Sequence, residues 1–532
     1  MSHPVVDPSH DPGTGSASTP SGNIAVRLLA NGADEATALR MGEQSVSYGE
    51  LRGGVVRLAG QLAAAQPAGA RVGLIAENGP FFVVAYLAAI RAGLCVVPLP
   101  TAVQREWLMQ VLADTETELL LASQRCRHDE DLQAVQADLG FELWVEAEED
   151  PLGVASAASD PAGLDRPIGP STDLAALFFT SGSTGEPKGV MISHLNIETN
   201  TRDIVEYMGL TAADRAMVVL PLHYCYGLSV LHTHLAAGAS VVFNNGFMFP
   251  EKVLDDMSAQ ECTGFAGVPS HFQILLRKTR FPERDFPHLR WLQQAGGKLP
   301  DTFIRELRAS QPDVELFIMY GQTEATARLS YLPPGRLDDK LGSIGQGLAS
   351  TILEVLDAEG DPVAPGSGAV GEIVATGDNV ALGYWRDPQA TDRYFHGGKL
   401  RTRDLATVDE EGFVFIVDRA RDFIKSMGNR ISPKEVEDVI AELPEVVEVA
   451  VIGVPDEIWG EAVKAVVVLT SPAALSSDQI IRHCNERLPN YKVPSQTQVV
   501  TSLPKNESGK VLKAELRRHA AEERAAGWGR RE

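Results

Sequence analysis

Apolar and polar positions alternate along the first part of the chain with two different periods. Helical spacing over residues 48–62 and 80–92 is interleaved with apolar runs at 72–75 and Cys95–Leu99. Further strand-like runs lie at 175–179, 217–220, Ser240–Phe243, Trp291–Gln294 and 316–320. Strands that alternate with helices predict an α/β fold with parallel or mixed sheets covered by helices. Ligands are then expected in loops at the carboxyl ends of the strands.

The pattern changes near residue 340. Short strand-like runs at 352–356 and 372–375 are separated there by clusters of glycine, proline and serine. Such clusters mark turns, so residues 340–419 are predicted to form a β-rich subdomain. This subdomain completes a large N-terminal domain that is predicted to span residues 24–419.

The two ends of the chain differ from this large domain. Residues 1–23 are rich in Ser, Pro, Gly and His, which predicts a disordered tail. A compact α+β pattern predicts a small, mobile C-terminal domain over residues 420–532. Within it, Ser432 and Glu435 are predicted to form a capping box on a helix whose first residue is Pro433.

Composition narrows the class of protein. The 532 residues are 44% apolar and 22% charged, which is close to average globular usage. The formal charge of −24 disfavours nucleic acid and anionic lipid as partners. The five cysteines are scattered, which predicts reduced thiols rather than disulfides or a zinc site. No signal segment and no membrane-spanning apolar stretch is recognised, so a cytoplasmic protein is expected.

A glycine-rich loop that follows an apolar run is the most informative segment. It reads Thr180-Ser181-Gly182-Ser183-Thr184-Gly185-Glu186-Pro187-Lys188-Gly189. Its glycines let the backbone approach a ligand, while the hydroxyl groups and Lys188 supply hydrogen-bond donors and positive charge. These groups suit phosphate oxygens. Gly189 stands where the P-loop pattern requires Ser or Thr, and an ordinary surface loop is the alternative interpretation.

This loop closely resembles the signature of the adenylate-forming superfamily, which includes acyl-CoA synthetases, peptide-synthetase adenylation domains and luciferases. Other motifs follow in the family's order: residues 91–99, Tyr320-Gly321-Gln322-Thr323-Glu324, Arg419 with Lys425 and Gly428, Ile431-Ser432-Pro433, and Lys505-Asn506-Glu507-Ser508-Gly509-Lys510. The resemblance covers about residues 47–515, and an ordered set of motifs is far more specific than any one of them.

The resemblance implies a site for ATP and Mg²⁺. The glycine-rich loop would wrap the β- and γ-phosphates, and Thr184 and Glu324 would hold Mg²⁺, a hard cation that prefers oxygen ligands. The other residues implied to bind the nucleotide are Gly296 and Gly297 beside adenine, Tyr320 stacked on it, Gly321 and Thr323 near the α-phosphate, and Asp404 with Arg419 at the ribose.

Two lysines are implied to act at different steps. Lys510 would neutralise the charge that develops as a carboxylate attacks the α-phosphate and pyrophosphate leaves. The small domain would then rotate about Arg421, so that Lys425 replaces Lys510. Gly428 would line the channel for the arm of a thiol, which takes the acyl group from AMP.

The acid pocket is expected around residues 221–228 and 264–268 and in the segment after Glu324. The residues expected to line it are His223, Tyr224, Tyr226, Gly227 and Phe265. Amino-acid-activating relatives place an Asp near Gly227, and its absence argues against an α-amino acid. An aryl or medium aliphatic acid is expected instead.

Two positions depart from the family pattern. Tyr224 stands where many relatives have a gating His, and His223 precedes it; His223 is equally well interpreted as a hydrogen-bonded core residue. Arg403 stands where relatives usually have Gly.

Three functions remain open from the sequence. The first is an acyl-CoA synthetase that uses free CoA, and the second is a ligase that loads the phosphopantetheine arm of a carrier protein. The third is a non-catalytic nucleotide-binding scaffold, against which the retention of Lys510 and Glu324 speaks. The activated acid, including an unusual non-carbon acid, is not determined by the sequence.

Overall fold

The structure is a computed structural model. It describes residues 22–102, 104–150, 152–154, 164, 166–181, 187–419, 422–426, 429–456, 459–506 and 509–525. The predictions for Gly182, Ser183, Thr184, Gly185, Arg421, Gly428 and nearly all of the tail at 1–23 lie outside the described residues. Ser181 and Arg419 are described only as strand residues.

The helices of the described chain are α1 Ile24–Leu28, α2 Tyr48–Ala65, α3 Pro80–Arg91, α4 Arg105–Asp114, α5 Glu130–Leu139, α6 His194–Met208, α7 Cys225–Ala236, α8 Pro250–Ala259, α9 Pro269–Lys278, α10 Asp301–Ser310, α11 Pro388–Tyr394, α12 Pro433–Ile440, α13 Ser477–Arg487 and α14 Lys513–Ala525. Within the described ranges, no helix is long and apolar enough to cross a membrane.

The strands of the described chain are β1 Thr37–Met41, β2 Gln44–Ser47, β3 Arg71–Ile75, β4 Cys95–Leu99, β5 Leu119–Ala122, β6 Glu142–Val145, β7 Leu174–Ser181, β8 Pro187–Ser193, β9 Arg215–Val218, β10 Ser240–Phe243, β11 Gly264–Gly267, β12 Trp291–Gln294, β13 Glu315–Tyr320, β14 Ser330–Leu332, β15 Gln346–Gly347, β16 Thr351–Leu356, β17 Gly371–Gly377, β18 Leu400–Val408, β19 Val414–Arg419, β20 Ile424–Ser426, β21 Asn429–Ile431, β22 Val446–Asp456, β23 Gly460–Leu469 and β24 Gln496–Val500.

Two large sheets form the first part of the chain. One has the described strand order β6-β5-β3-β4-β7-β8 and is parallel except for the β7–β8 pair. The other has the order β15-β14-β13-β12-β11-β9-β10-β1-β2, with a parallel centre and antiparallel edges. Every residue of β4 is buried because helices cover both faces of such a sheet.

The rest of the chain forms two smaller sheets. Strands β16 to β19 make an antiparallel sheet in chain order, within the predicted β-rich region. Beyond it, β21-β20-β23-β22 pair, with β24 parallel to β23, and α12, α13 and α14 pack against this sheet. The predicted fold class is therefore observed: a large α/β part, a β-rich region and a small α+β part.

One local prediction in the small domain is wrong. Helix α12 begins at Pro433 with Ser432 as its N-cap residue, as expected, but no capping box forms. The Ser432 hydroxyl instead donates to Oδ2 of Asp418 at 2.7 Å, and Glu435 forms an ion pair with Lys492. Asp418 is buried, and a buried carboxylate requires donors, so it competes successfully for the hydroxyl group.

Candidate active site

The glycine-rich loop joins the antiparallel strands β7 and β8, and Thr180 pairs with Lys188 across this hairpin. Because β7 runs parallel to β4, the loop follows the carboxyl end of a strand in the six-stranded sheet. This is the edge at which α/β sheets bind ligands. The segment was interpreted as a loop between two strands or as a phosphate loop. Both interpretations therefore refer to the same β7–β8 hairpin.

The ammonium group of Lys188 is held at the end of this hairpin. Its Nζ atom lies 2.9 Å from Oδ2 of Asp387 and 5.2 Å from the ring centre of Tyr384. The backbone N–H of Ala390 and then Lys188 lower the pKa of the Asp387 carboxyl group, which is therefore ionised at neutral pH. The backbone near Tyr384 bonds to β8, with Trp385 N donating to Gly189 O at 2.7 Å. This bond to β8 holds Tyr384 beside the hairpin.

Glu324 is the predicted metal ligand within the described residues. The hydroxyl group of Tyr384 donates to Oε1 of Glu324 at 2.7 Å. Burial, followed by the negative charge of Glu324, raises the pKa of Tyr384, so this hydroxyl keeps its proton and can donate it. A fixed carboxylate suits Mg²⁺, which prefers oxygen ligands, so Glu324 fits the expected role. Thr184, the other expected ligand, lies outside the described residues.

The residues around Glu324 are packed tightly. Oγ1 of Thr323 lies 3.4 Å from Sγ of Cys225, the first residue of α7, and burial raises the pKa of that thiol. A Cβ atom at Gly321 would lie 1.8 Å from the backbone oxygen of Ala327, so no larger residue fits there. The predicted α-phosphate residues and the first turn of α7 therefore meet.

Asp404 and Arg419, the predicted ribose pair, are opposite each other on β18 and β19. Asp404 is buried, and its Oδ2 atom accepts a 2.7 Å hydrogen bond from the Tyr320 hydroxyl group. Tyr320, predicted to stack on adenine, and Asp404, predicted to hold the ribose, thus contact each other.

The departure at Arg403 has a structural basis. Its φ angle is +64°, in the left-handed region that favours glycine. The guanidinium group donates to the Tyr394 hydroxyl at 3.0 Å and lies over that ring, while the Arg403 N–H bonds to Oε1 of Glu372. These contacts hold a conformation that is costly for arginine.

Gly296 and Gly297 follow β12, as predicted, and Gly296 has a φ angle of +87°. A Cβ atom at Gly296 would lie 2.9 Å from Val268, and one at Gly509 would lie 3.1 Å from the same side chain. The hydroxyl group of Ser270 also donates to Gly509 O at 2.9 Å. The loop that carries Lys510 is therefore docked beside the turn predicted to pack on adenine.

The two predicted lysines have different surroundings. Lys510 is exposed at the end of this docked loop, where its N–H bonds to Oδ1 of Asn506 at 2.9 Å. Lys425 is exposed on β20, and its N–H bonds to Oε2 of Glu461 within the small domain. In this structure the loop that carries Lys510 thus contacts the large domain.

The predicted acid-pocket residues fall into two groups. The rings of His223 and Tyr224 lie 4.3 Å apart, and the hydroxyl group of Tyr226 donates to Gln293 O at 3.0 Å. Gly227 packs α7 so closely that a Cβ atom would lie 2.4 Å from Pro221 O. Phe265 is fully buried in the core, with its ring 5.7 Å from that of Phe272. Its side chain is therefore part of a hydrophobic core cluster.

Sequence reasoning did not single out three residues whose contacts bear on the candidate site: Tyr384, Lys298 and Arg328. Tyr384 and Lys298 gave no signal, since their partners are distant in the chain. Arg328 did carry one, because it is a lone charge between the apolar or small neighbours Ala327 and Leu329.

This fold and this site define a two-part nucleotide-dependent enzyme with a lysine-bearing lid. A family model for the AMP-binding enzyme matches residues 27–385, and a model for the AMP-binding enzyme C-terminal domain matches residues 435–510. The chain therefore belongs to the AMP-binding enzyme family.

Similar proteins narrow the class further. The chain is 36% identical to a feruloyl-CoA synthase from Amycolatopsis sp over 91% of this chain and 96% of that protein. It superimposes on ATP-bound MatB from Rhodopseudomonas palustris with a TM-score of 0.82 at 31% identity, covering 94% and 99% of the two chains. For the o-succinylbenzoate CoA synthetase of Bacillus subtilis in complex with its acyl-adenylate, the TM-score is 0.80 at 29% identity, covering 93% and 97%. The resemblance to AMP-forming acid–CoA ligases is confirmed.

Proposed function

We propose that this enzyme uses ATP and Mg²⁺ to activate an aryl or medium aliphatic acid, other than an α-amino acid, and transfers the acyl group to CoA. The observation that carries this proposal is the bond between Ser270 and Gly509, which docks the Lys510 loop beside Gly296. Free cysteines and the use of ATP and CoA favour the cytoplasm as the place of the reaction.

In the first step, a carboxylate oxygen of the acid attacks the α-phosphorus of ATP. A C–O–P bond forms, the bond between the α-phosphorus and the bridging oxygen breaks, and pyrophosphate leaves. Lys510 places positive charge beside the developing negative charge, while Lys188 attracts the terminal phosphates. Glu324, oriented by Tyr384, would hold the Mg²⁺ that neutralises phosphate charge.

In the second step, the sulfur of CoA attacks the acyl carbon after losing its proton to solvent. A thioester bond forms and AMP leaves with the electrons of the C–O bond. The small domain would first rotate and carry Lys510 out of the site, as the family resemblance implies. Lys425 would then face the acyl-adenylate.

The acid class rests on the pocket and on the relatives. No carboxylate lies near Gly227 in the chain segment where an α-ammonium group would bind. The similar enzymes named for feruloyl, indoleacetate and succinylbenzoate substrates all act on aromatic acids. These points favour an aryl acid over an amino acid.

A screen of acids tests the proposal. Pyrophosphate release is measured with Mg²⁺–ATP and each acid, with and without CoA, and the products are identified by mass spectrometry. We expect acyl-AMP without CoA and acyl-CoA with it, for at least one aryl acid. If the acyl group of acyl-AMP is transferred only to a phosphopantetheinylated carrier protein, that protein replaces CoA as the acceptor. If no acid in the screen causes pyrophosphate release, the proposal is refuted.

A further inference from the structure

Three cationic side chains of the described residues are buried: Arg328, Lys340 and Lys464. Lys340 lies 2.7 Å from a carboxylate oxygen of Asp409, and Lys464 lies 3.0 Å from one of Glu523. Arg328 is only 1% exposed, yet no carboxylate of the described residues lies within ion-pair distance of it. It is thus the exception to the pairing that buried charges require.

The guanidinium group of Arg328 lies against aromatic surface. Its central carbon is 5.2 Å from the ring centre of Tyr226, and its Nε atom is buried without a hydrogen bond to the described residues. A cation on a tyrosine face gains less than the burial of an unpaired charge costs. The described part of the chain therefore places no carboxylate where it would compensate this charge.

The backbone of Arg328 is firmly anchored. Its N–H donates to Oδ1 of Asn200, and its carbonyl oxygen accepts 2.8 Å bonds from the side chains of Asn200 and Asn379. Both asparagines are buried. The guanidinium group consequently has a defined position, as a binding residue requires.

Arg328 lies next to the predicted acid-binding residues. A Cβ atom at Gly321 would lie 2.9 Å from its Cα atom, and Tyr226 follows Cys225, which contacts Thr323. Burial raises the pKa of both Tyr226 and Cys225, and the positive charge of Arg328 opposes that rise. The electrostatic field of the Arg328 guanidinium group thus reaches the side chains around the predicted acid pocket.

Resting on the proposed function, we propose that the acid substrate is a dicarboxylic acid and that Arg328 binds its second carboxylate. One carboxylate attacks ATP, while the other forms charge-assisted hydrogen bonds with Arg328 at the far end of the pocket and takes no part in the chemistry. An anion is required because a neutral acceptor would leave the buried charge uncompensated. Arg328 is therefore a residue that determines specificity.

Matched acids with one and two carboxylates test this proposal: hexanoate against adipate, and benzoate against phthalate, isophthalate and terephthalate. We expect the wild-type enzyme to use the best diacid with a kcat/KM at least about 100-fold above its monoacid counterpart. Arg328→Met should lower kcat/KM for the diacid by about 100-fold or more and leave the monoacid within about threefold. The Kd of ATP should not change.

Two further variants separate recognition from folding. Lys340→Met removes another buried cation, one that pairs with Asp409, and should lower the melting temperature without changing the diacid preference. Arg328→Lys keeps the charge but loses the bidentate geometry. Its kcat/KM for the diacid should lie between those of the wild type and Arg328→Met.

Binding is also measured by calorimetry with a non-hydrolysable ATP analogue, which requires no turnover. Suppose that a diacid binds in this assay in a way that depends on Arg328, but that no acid causes pyrophosphate release from ATP itself. That result would support the role of Arg328 and refute the proposed function. A wild-type enzyme that activates monoacids as well as diacids would overturn the role of Arg328 and leave the proposed function standing.

Discussion

The large and small domains hold their functional groups in opposite ways. In the large domain, Glu324 is bonded to Tyr384 and Asp404 to Tyr320. In the small domain, the side chains of Lys425 and Lys510 are exposed. Groups that bind a nucleotide gain from a fixed geometry, whereas groups that serve successive steps must be able to leave. The difference agrees with our proposal that the fixed groups bind ATP and that the two lysines act at successive steps.

Polar contacts join the two domains, beside the apolar packing of Ala441 against a core cluster of the large domain. Nε of Arg277 donates to Val446 O at 3.3 Å, and Nζ of Lys278 donates to the backbone oxygens of Leu469 and Thr470. An ion pair of 2.6 Å joins Lys298 to Asp438 on α12. Polar interfaces of this kind separate more readily than apolar cores. This mixture of contacts is typical of interfaces between domains of one chain.

Acid should destabilise the large domain first. Burial lowers the pKa of four of its histidines, His194, His232, His234 and His271, to about 4, 3, 4 and 3. These groups take up protons only on unfolding, so their stability contribution is present above an unfolded pKa of about 6.5 and is lost as pH falls below it. From pH 7.5 to 5.5 each should cost about 1.4 kcal/mol, or about 5 kcal/mol together.

Calorimetric unfolding at the two pH values measures this loss. Hydrogen exchange should show that protection falls in the large domain before it falls in the small one. His232→Gln should remove about a quarter of the pH dependence. Equal loss in both domains, or an unchanged slope in the variant, would contradict the assignment.

The second prediction concerns the exposed lysine at the docked loop. Lys510→Ala should slow adenylation by about 10²–10³-fold, because it removes a charge that acts on the transition state. Transfer to CoA from supplied acyl-AMP should be largely spared. Each half-reaction is followed separately, by pyrophosphate release and by thioester formation.

Lys513→Ala is the matched control for Lys510→Ala. It removes a nearby lysine that pairs with Glu437 and should leave both half-reactions within about threefold of the wild type. Equal losses in the two half-reactions of Lys510→Ala would show that this lysine is not specific to the first step.

The smallest expected effect concerns the ion pair between the domains. Lys298→Met should weaken docking by about 1 kcal/mol, since both side chains are partly exposed, and slow adenylation about threefold to fivefold. Transfer from acyl-AMP should not fall. Asp438→Leu in the same background should cause little further loss, because the pair is already broken. Additive losses would mean that the two residues act independently.

The elements were predictable where local patterns coincide with burial. The strands at Cys95–Leu99, Ser240–Phe243 and Trp291–Gln294 have the bounds that their apolar runs predict. Strand β22 runs to Asp456, because its hairpin with β23 continues in register to Gly460 beyond the apolar run at 447–452. Strand pairing, which is not local, sets that end.

The sequence by itself determined the family, the α/β class and the order of the phosphate, metal and lid motifs, since these depend on residue types at short spacings. Tertiary structure decided which side chains meet: Tyr384 and Glu324 are 60 residues apart, and Tyr320 and Asp404 are 84 apart. It also decided that Arg328 is buried without a carboxylate partner among the described residues. Periodicity encodes which face of an element is buried, but hydrogen bonds and charge compensation depend on which distant elements pack together.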